Sequence, residues 1–344
     1  VLNREIAVCG DDHLTNRELP YYYWQQYYTL MSNYGSYASY FIDTSKPFDQ
    51  QMCMFDDTRT WQQYFLQAAI TNYENVTAIW QEARLAGFQL SQEDQDYLDE
   101  LDGQITVAAA SYSYGSADEY LQMAYGPAAT LTSYHAFVER QITASAYLQV
   151  LVDEKPYTED DISKYYDDNA DSYAGNGIEK SDVKMVNVRH ILIQPEGKND
   201  DGTYTDEAWA EAEKKANDLL TEWQNGEHTE DSFAFMAAEN SQDPGSVENG
   251  GLYEDIYPGK MVDEFDAWCF DPARQPGDTG IVKTSYGYHI MYFSSTGEHA
   301  YWYVRAEEDY LNELSVSVLQ EVAAKFEVTE SEQNAAIVDI MQQN

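Results

Sequence analysis

The sequence predicts an α+β protein in which a mixed strand-and-helix domain is inserted between helical N- and C-terminal segments. Three observations predict it. Residues 1–180 are rich in Tyr, Gln and Ala, with few Gly or Pro inside the periodic segments. Residues 183–297 open and close on β-branched and aromatic runs and carry helical patterns between them. From residue 300 to the end, helical spacing returns.

In the first segment, "TWQQYFLQAAITNYENVTAIWQEARLAG" (60–87) repeats Trp61, Phe65, Ala69 and Tyr73 at i, i+4, and Gly87 is placed to end the helix. "LSQEDQDYLDELDGQITVAAASYSYG" (90–115) and "YGPAATLTSYHAFVERQITASAYLQVLV" (125–152) read the same way. "TEDDISKYYDDNADSY" (158–173) predicts a shorter helix with Thr158 as N-cap and acids in its first turn. A linker is placed at "AGNGIEKSD" (174–182). The expected domains are thus 1–180, 183–297 and 300–344.

The middle region begins with a strand, "VKMVNVRHILIQ" (183–194), then a polar loop. A helix over 207–226 follows, with Trp209, Ala212, Ala216, Leu219 and Trp223 on one stripe. A short helix (230–241), a Gly/Pro turn region, "DPGSVENGG", and a third helix (261–270) lead to a closing strand, "VKTSYGYHIMYF" (282–293). This β-α-α-α-β order fits helices packed on a small sheet. The tail from 300 needs a partner for its apolar stripe, and the N-terminal helices are the expected one.

Composition narrows function. The chain of 344 residues has a net charge of −42 and a pI near 4.1, which argues against nucleic acid and anionic lipid as partners. No run of about 18 apolar residues is present. The N-terminus has neither initiator Met nor a signal-type apolar stretch, so the sequence is read as a mature or trimmed form that has lost an export or anchor segment. Cys9, Cys53 and Cys269 lack zinc spacing; Cys269 reads as a buried thiol, and Cys9–Cys53 is a candidate disulfide in an exported protein.

Alternation places His190 with Val186, Val188 and Leu192, and His289 with Met291 and Phe293, each on an apolar strand face. A single such histidine is ordinarily a satisfied core residue. Two of them, in the first and last strands of one domain, are expected to meet across adjacent strands and hydrogen-bond as fixed neutral tautomers.

The stretches "VRHILI", "SFAFMAAENSQDPGSVENGG", "GKMVDEFDAWCF" and "GDTGIVKTSYGYHIMYF" resemble the parvulin family of peptidyl-prolyl cis-trans isomerases over roughly 183–297. The layout further resembles secreted foldases and SurA-like chaperones. The resemblance implies a small antiparallel sheet with about three to four helices, and all-α chaperone-like flanks. It implies that His190 and His289 are the paired histidines of the site floor, Asp243 the acidic residue beside the amide, and Thr284 the residue orienting the imidazoles. Leu252, Met261 and Phe265 would form the pocket for the proline ring. No metal or cofactor is implied, and the partners would be unfolded exported polypeptides with X-Pro bonds, met outside the cytoplasmic membrane.

The same residues allow plainer roles. Leu252, Met261 and Phe265 could be core, and Asp243 a turn-starting side chain before Pro244. Where many members read Gly-Gly-Asp-Leu-Gly, this chain has "GGLYEDIYPGKM"; Tyr253 and Tyr257 are therefore expected at the rim, where they bear on substrate preference and on the strength of activity. "DDNADSY" (167–173) suggests calcium-loop spacing but lacks the required Gly and Glu. The alternatives to an isomerase are a non-catalytic holdase using the same fold, and a surface binding protein whose Tyr-rich stretches, "YYYWQQYY" and "SYSYGSADEY", contact a partner.

Overall fold

The computed structural model describes residues 1–342 and divides into two compact units: Val1–Pro156 with the residues from Leu311 on, and Tyr157–Tyr310. No helix of the described residues is long and apolar enough to cross a membrane.

The first unit opens with a hairpin, β1 (Glu5–Cys9) and β2 (Asp12–Thr15), followed by α1 (Leu19–Tyr34). A second short hairpin, β3 (Met52–Cys53) and β4 (Asp56–Thr60), leads into α2 (Trp61–Leu85). Thr60 accepts from the Gln63 amide while Gln63 accepts from the Thr60 N–H, so two amides that the first helical turn leaves unpaired are satisfied. Helices α3 (Gln92–Ser111), α4 (Ala117–Tyr125) and α5 (Leu131–Asp153) complete it. Trp61, Phe65, Ala69 and Tyr73 are buried together with Tyr22, Tyr23, Trp24 and Tyr27 of α1. "YYYWQQYY" is therefore mostly core and not the contact surface its composition suggested: aromatic residues around most of the helix are what a buried helix shows. Arg140 of α5 holds Asp12 with two hydrogen bonds, 2.9 and 3.1 Å, and Tyr73 donates to the same carboxylate at 2.8 Å.

The second unit begins with α6 (Glu159–Asp168), capped by Thr158, and α7 (Ala170–Gly175). Then come β5 (Lys184–Ile193), α8 (Asp206–Asn225), α9 (Glu230–Asn240), β6 (Leu252–Ile256), α10 (Asp263–Cys269), β7 (Thr279–Thr284) and β8 (Gly287–Ala300). The first turns of α11 (Tyr301–Ala323) close it. Ile162, Tyr166, Tyr173 and Ile178 bury against Tyr303 and Ala306. That small core draws 157–182 and 301–310 into the second unit, outside the 183–297 that composition marks off.

Beyond Leu311, α11 belongs to the first unit, with Val322 in its core. The tail is not helical throughout. β9 (Val328–Glu330) pairs antiparallel with β1, giving a sheet of order β2-β1-β9 beside the helices.

The four strands of the second unit are antiparallel in the order β6-β5-β8-β7. Strands first and last in sequence thus lie side by side at the centre. Ile191, Ile193, Tyr288, Ile290 and Tyr292 face α8 and α9; Val186, Val188, Met291 and Phe293 face α10. The run 282–293 is two strands and not one. It breaks at Ser285–Tyr286, and Gly287, with φ +149°, lies where a Cβ would collide with the Ile193 carbonyl. All three cysteines are free and buried, so the Cys9–Cys53 disulfide is not formed. The Cys9 Sγ is directed to the Glu74 carbonyl and the Cys53 Sγ accepts from the Phe55 amide.

Candidate active site

The α10 side of the sheet carries the site. In the β5/β8 ladder His190 stands opposite Met291 and His289 opposite Leu192, so the two imidazoles are diagonal neighbours on one face. Their Nδ1 atoms are 3.0 Å apart. Both residues are buried, and the Phe265 ring meets each edge-on.

Each far nitrogen is anchored. His190 Nε2 lies 2.9 Å from Asp243 Oδ2 and 3.1 Å from Ser246 Oγ; His289 Nε2 lies 2.8 Å from Thr284 Oγ1. Ser246 and Tyr253 both donate to Asp243 Oδ2, at 2.6 and 2.9 Å. The Tyr286 amide donates to Thr284 Oγ1. Asp243 accepts only, so His190 Nε2 must donate to it. With one proton on each ring the other directions are then forced: His289 Nδ1–H donates to His190 Nδ1, and the Thr284 hydroxyl donates to His289 Nε2.

The electrostatics agree with this arrangement. Burial, reinforced by neighbouring His190 and opposed by Asp243, pushes the His289 pKa down to about 4. The hydrogen bond from His190, joined by those from Ser246 and Tyr253, holds the Asp243 carboxyl far below the usual carboxylate range despite partial burial. Tyr253 is pushed up to about 12, first by burial and then by Asp243.

The loop carrying Asp243 is fixed by close backbone approach. The His190 amide donates to the Gly251 carbonyl at 2.8 Å, and the Gly251 amide donates to the Ser246 carbonyl at 2.7 Å. Gly251 has φ +76°, and a Cβ there would collide with the His190 carbonyl. Only glycine meets both demands.

Above the imidazoles opens a hollow of about 500 Å³. His190, His289 and Asp243 lie along it with Tyr253, Met261 and Phe265, and Leu192, Gln194, Pro244, Lys260, Val262 and Tyr286 complete the wall. The structure brings together His190, His289, Asp243, Thr284, Met261 and Phe265. It does not bring Leu252 to the hollow. Leu252 pairs with Arg189 and Tyr253 with Val188, so Tyr253 shares the face of His190 and Leu252 the opposite one. Tyr253 thus forms wall as well as rim. Tyr257 lies outside the lining and stacks on Tyr301, 3.7 Å between centroids. Ser246 was missed; its place three residues after Asp243, in "SQDPGS", was the available signal. Among the described residues no cluster of His, Cys, Asp or Glu could hold a metal ion.

Comparison with known proteins adds to this geometry. Residues 176–295 match the PPIC-type PPIase domain. The chain is 31% identical over 106 residues to Foldase protein PrsA 1 of Listeria innocua, covering 31% of this chain and 29% of that protein. It is 35% identical over 107 residues to Chaperone SurA of Pseudomonas savastanoi, covering 31% and 22%. Both matched segments span less than a third of the relative's length. Among solved structures, PrsA from Bacillus subtilis is 18% identical, covering 80% of this chain and 93% of that one, with a TM-score of 0.35.

Proposed function

We propose, from a chain whose residues 176–295 are a parvulin-type domain of the PPIC PPIase kind, that this protein is a peptidyl-prolyl cis-trans isomerase. It would assist exported polypeptides as they fold outside the cytoplasmic membrane. The observation that carries the reading is the imidazole pair, 3.0 Å apart, beneath a hollow walled by Met261 and Phe265 within the matched segment. Similarity to proteins named foldase and chaperone supports the folding role.

Prolyl rotation breaks no bond; its barrier of about 20 kcal/mol is loss of amide resonance. A catalyst must hold the pyrrolidine and favour the twisted amide over both planar forms. Met261, Phe265 and the Tyr253 ring provide apolar contact for the ring, Met261 adapting through its flexible thioether. The planar amide is the more polar form, so a partly dry hollow favours the twisted one. The Thr284–His289–His190–Asp243 chain fixes the floor against which the amide turns. A lowering of the barrier by about 4–7 kcal/mol gives roughly 10³–10⁵-fold acceleration.

A protease-coupled assay on X-Pro peptides tests this. The full chain should beat the uncatalysed rate, and His289→Gln with Asp243→Ala should abolish the gain; a wild-type rate equal to the uncatalysed one removes the enzyme claim. The holdase alternative predicts that suppression of client aggregation survives His190→Ala, His289→Ala and Asp243→Ala together.

A further inference from the structure

Met261 reaches the hollow at the end of a tight turn. Over Tyr257–Lys260 the Lys260 amide donates to the Tyr257 carbonyl at 3.0 Å, and Gly259 has φ +86°. Pro258 followed by a positive-φ glycine is the pattern of a type II turn. Pro258, Gly259 and Lys260 are exposed, so little packing lies on them and the turn depends on its anchors. The Gly259 amide donates to the Asp266 carboxylate of α10 at 3.1 Å. The Lys260 ammonium donates to the Glu254 and Asp255 carbonyls of β6, at 3.2 and 3.1 Å. These bonds are exposed, and water competes for them.

The remaining anchor is aromatic. The half-buried Tyr257 ring lies flat on Tyr301, 3.7 Å between centroids and 8° between planes, a contact that fixes tilt as well as position. Tyr301 opens α11 and packs against the small core of Ile162, Tyr166, Tyr173, Tyr303 and Ala306. Those residues lie on either side of the matched segment 176–295, and none lies within it. Met261 is thus tied through two stacked rings to helices that the parvulin-type domain does not itself contain.

We propose that Tyr301, acting through Tyr257, is a positioning residue for the proline pocket: it sets the turn that holds Met261 against the pyrrolidine. The proposal rests on the isomerase reading. Met261 meets the ring alike in the planar and twisted amide, so a displaced wall removes binding common to both. KM then rises while kcat holds. A purely stabilising contact would instead lower the folded fraction, and with it the apparent kcat, at constant KM.

The full chain, Tyr301→Ala, Tyr301→Phe and Tyr257→Ala are compared by NMR exchange on a proline tetrapeptide over a range of concentrations. The isotope-labelled methionine methyls are followed in the same samples. Tyr301→Ala should raise KM about threefold to tenfold, as loss of one aromatic pair implies, with kcat within about twofold. It should move the Met261 methyl, assigned through Met261→Leu, and leave the His289 ring resonances in place. Tyr301→Phe keeps the ring and should restore both KM and the methyl position. Tyr257→Ala should match Tyr301→Ala, and the double variant should be no worse than either single. Tyr257→Ala also spares the small core, so it serves if Tyr301→Ala does not fold. Unchanged KM with an unmoved methyl in folded Tyr257→Ala overturns the proposal, as does a loss confined to kcat or a Tyr301→Phe that behaves as Tyr301→Ala. An inactive wild type removes the isomerase reading instead, and the methyl, observed without turnover, still decides the positioning.

Discussion

Acidification from pH 7 to 4 sets the folded state against one buried ring. His289 is 5% exposed, and its pKa falls from 6.5 in the unfolded chain to about 4 in place. Between those values the unfolded chain takes up the proton and the folded site refuses it. The unfolded state therefore binds more protons over that window, and stability declines as the pH drops. The gap, at about 1.36 kcal/mol per unit, amounts to about 3 kcal/mol, fully retained above pH 6.5 and lost near pH 4. Asp243 acts in the same direction lower down: its depressed carboxyl stabilises the fold above the ordinary value of 3.8 and ceases to as the pH falls below it. The assay is urea unfolding at pH 7, 6, 5 and 4, followed by resonances of β5 and β8, for the wild type and His289→Asn. The wild type should lose about 3 kcal/mol more than the variant across the series. Parallel losses, or a His289 ring that titrates near 6.5 by NMR, would refute the reasoning.

Two further expectations concern the same site. Tyr253→Phe keeps the wall and removes one donor from Asp243, so urea unfolding should show a loss of about 1.5–3 kcal/mol; unchanged stability would mean that the 2.9 Å bond is not formed in solution. Gly251→Ala should cost about 2 kcal/mol or more and slow isomerisation, because the new Cβ meets the His190 carbonyl. Gly259→Ala is its control: φ there is +86° with nothing within 4 Å, so it should cost less, and equal losses would remove the collision from the account.

The histidine pair was legible because alternation alone puts His190 and His289 on apolar faces. Their meeting across adjacent strands was expected from the same two faces; only its diagonal register was not legible, since that depends on how strands whose histidines lie 99 residues apart in sequence are paired. The wall was misassigned between Leu252 and Tyr253 because a strand's faces alternate at every residue, and one step of frame exchanges them. The break at Ser285–Tyr286 was hidden by a run of β-forming residues without the Asn-Gly or Asp-Gly signal of a tight hairpin. β1 and β9 escaped for a different reason: each is short, and their pairing joins Ala7 to Glu330. In α1, adjacent tyrosines look alike whether they face solvent or core, and only tertiary packing decides between them.

The one-way run of donors from Thr284 to Asp243 limits how this site can drift under mutation. With one proton on each ring, moving the proton of His190 to its other nitrogen sets proton against proton between the rings, and moving that of His289 sets lone pair against lone pair there. A replacement at one position therefore spoils the fit of the others, and losses from single changes should overlap when combined. The four side chains should therefore answer to substitution as one coupled set, a double change costing less than the sum of its singles.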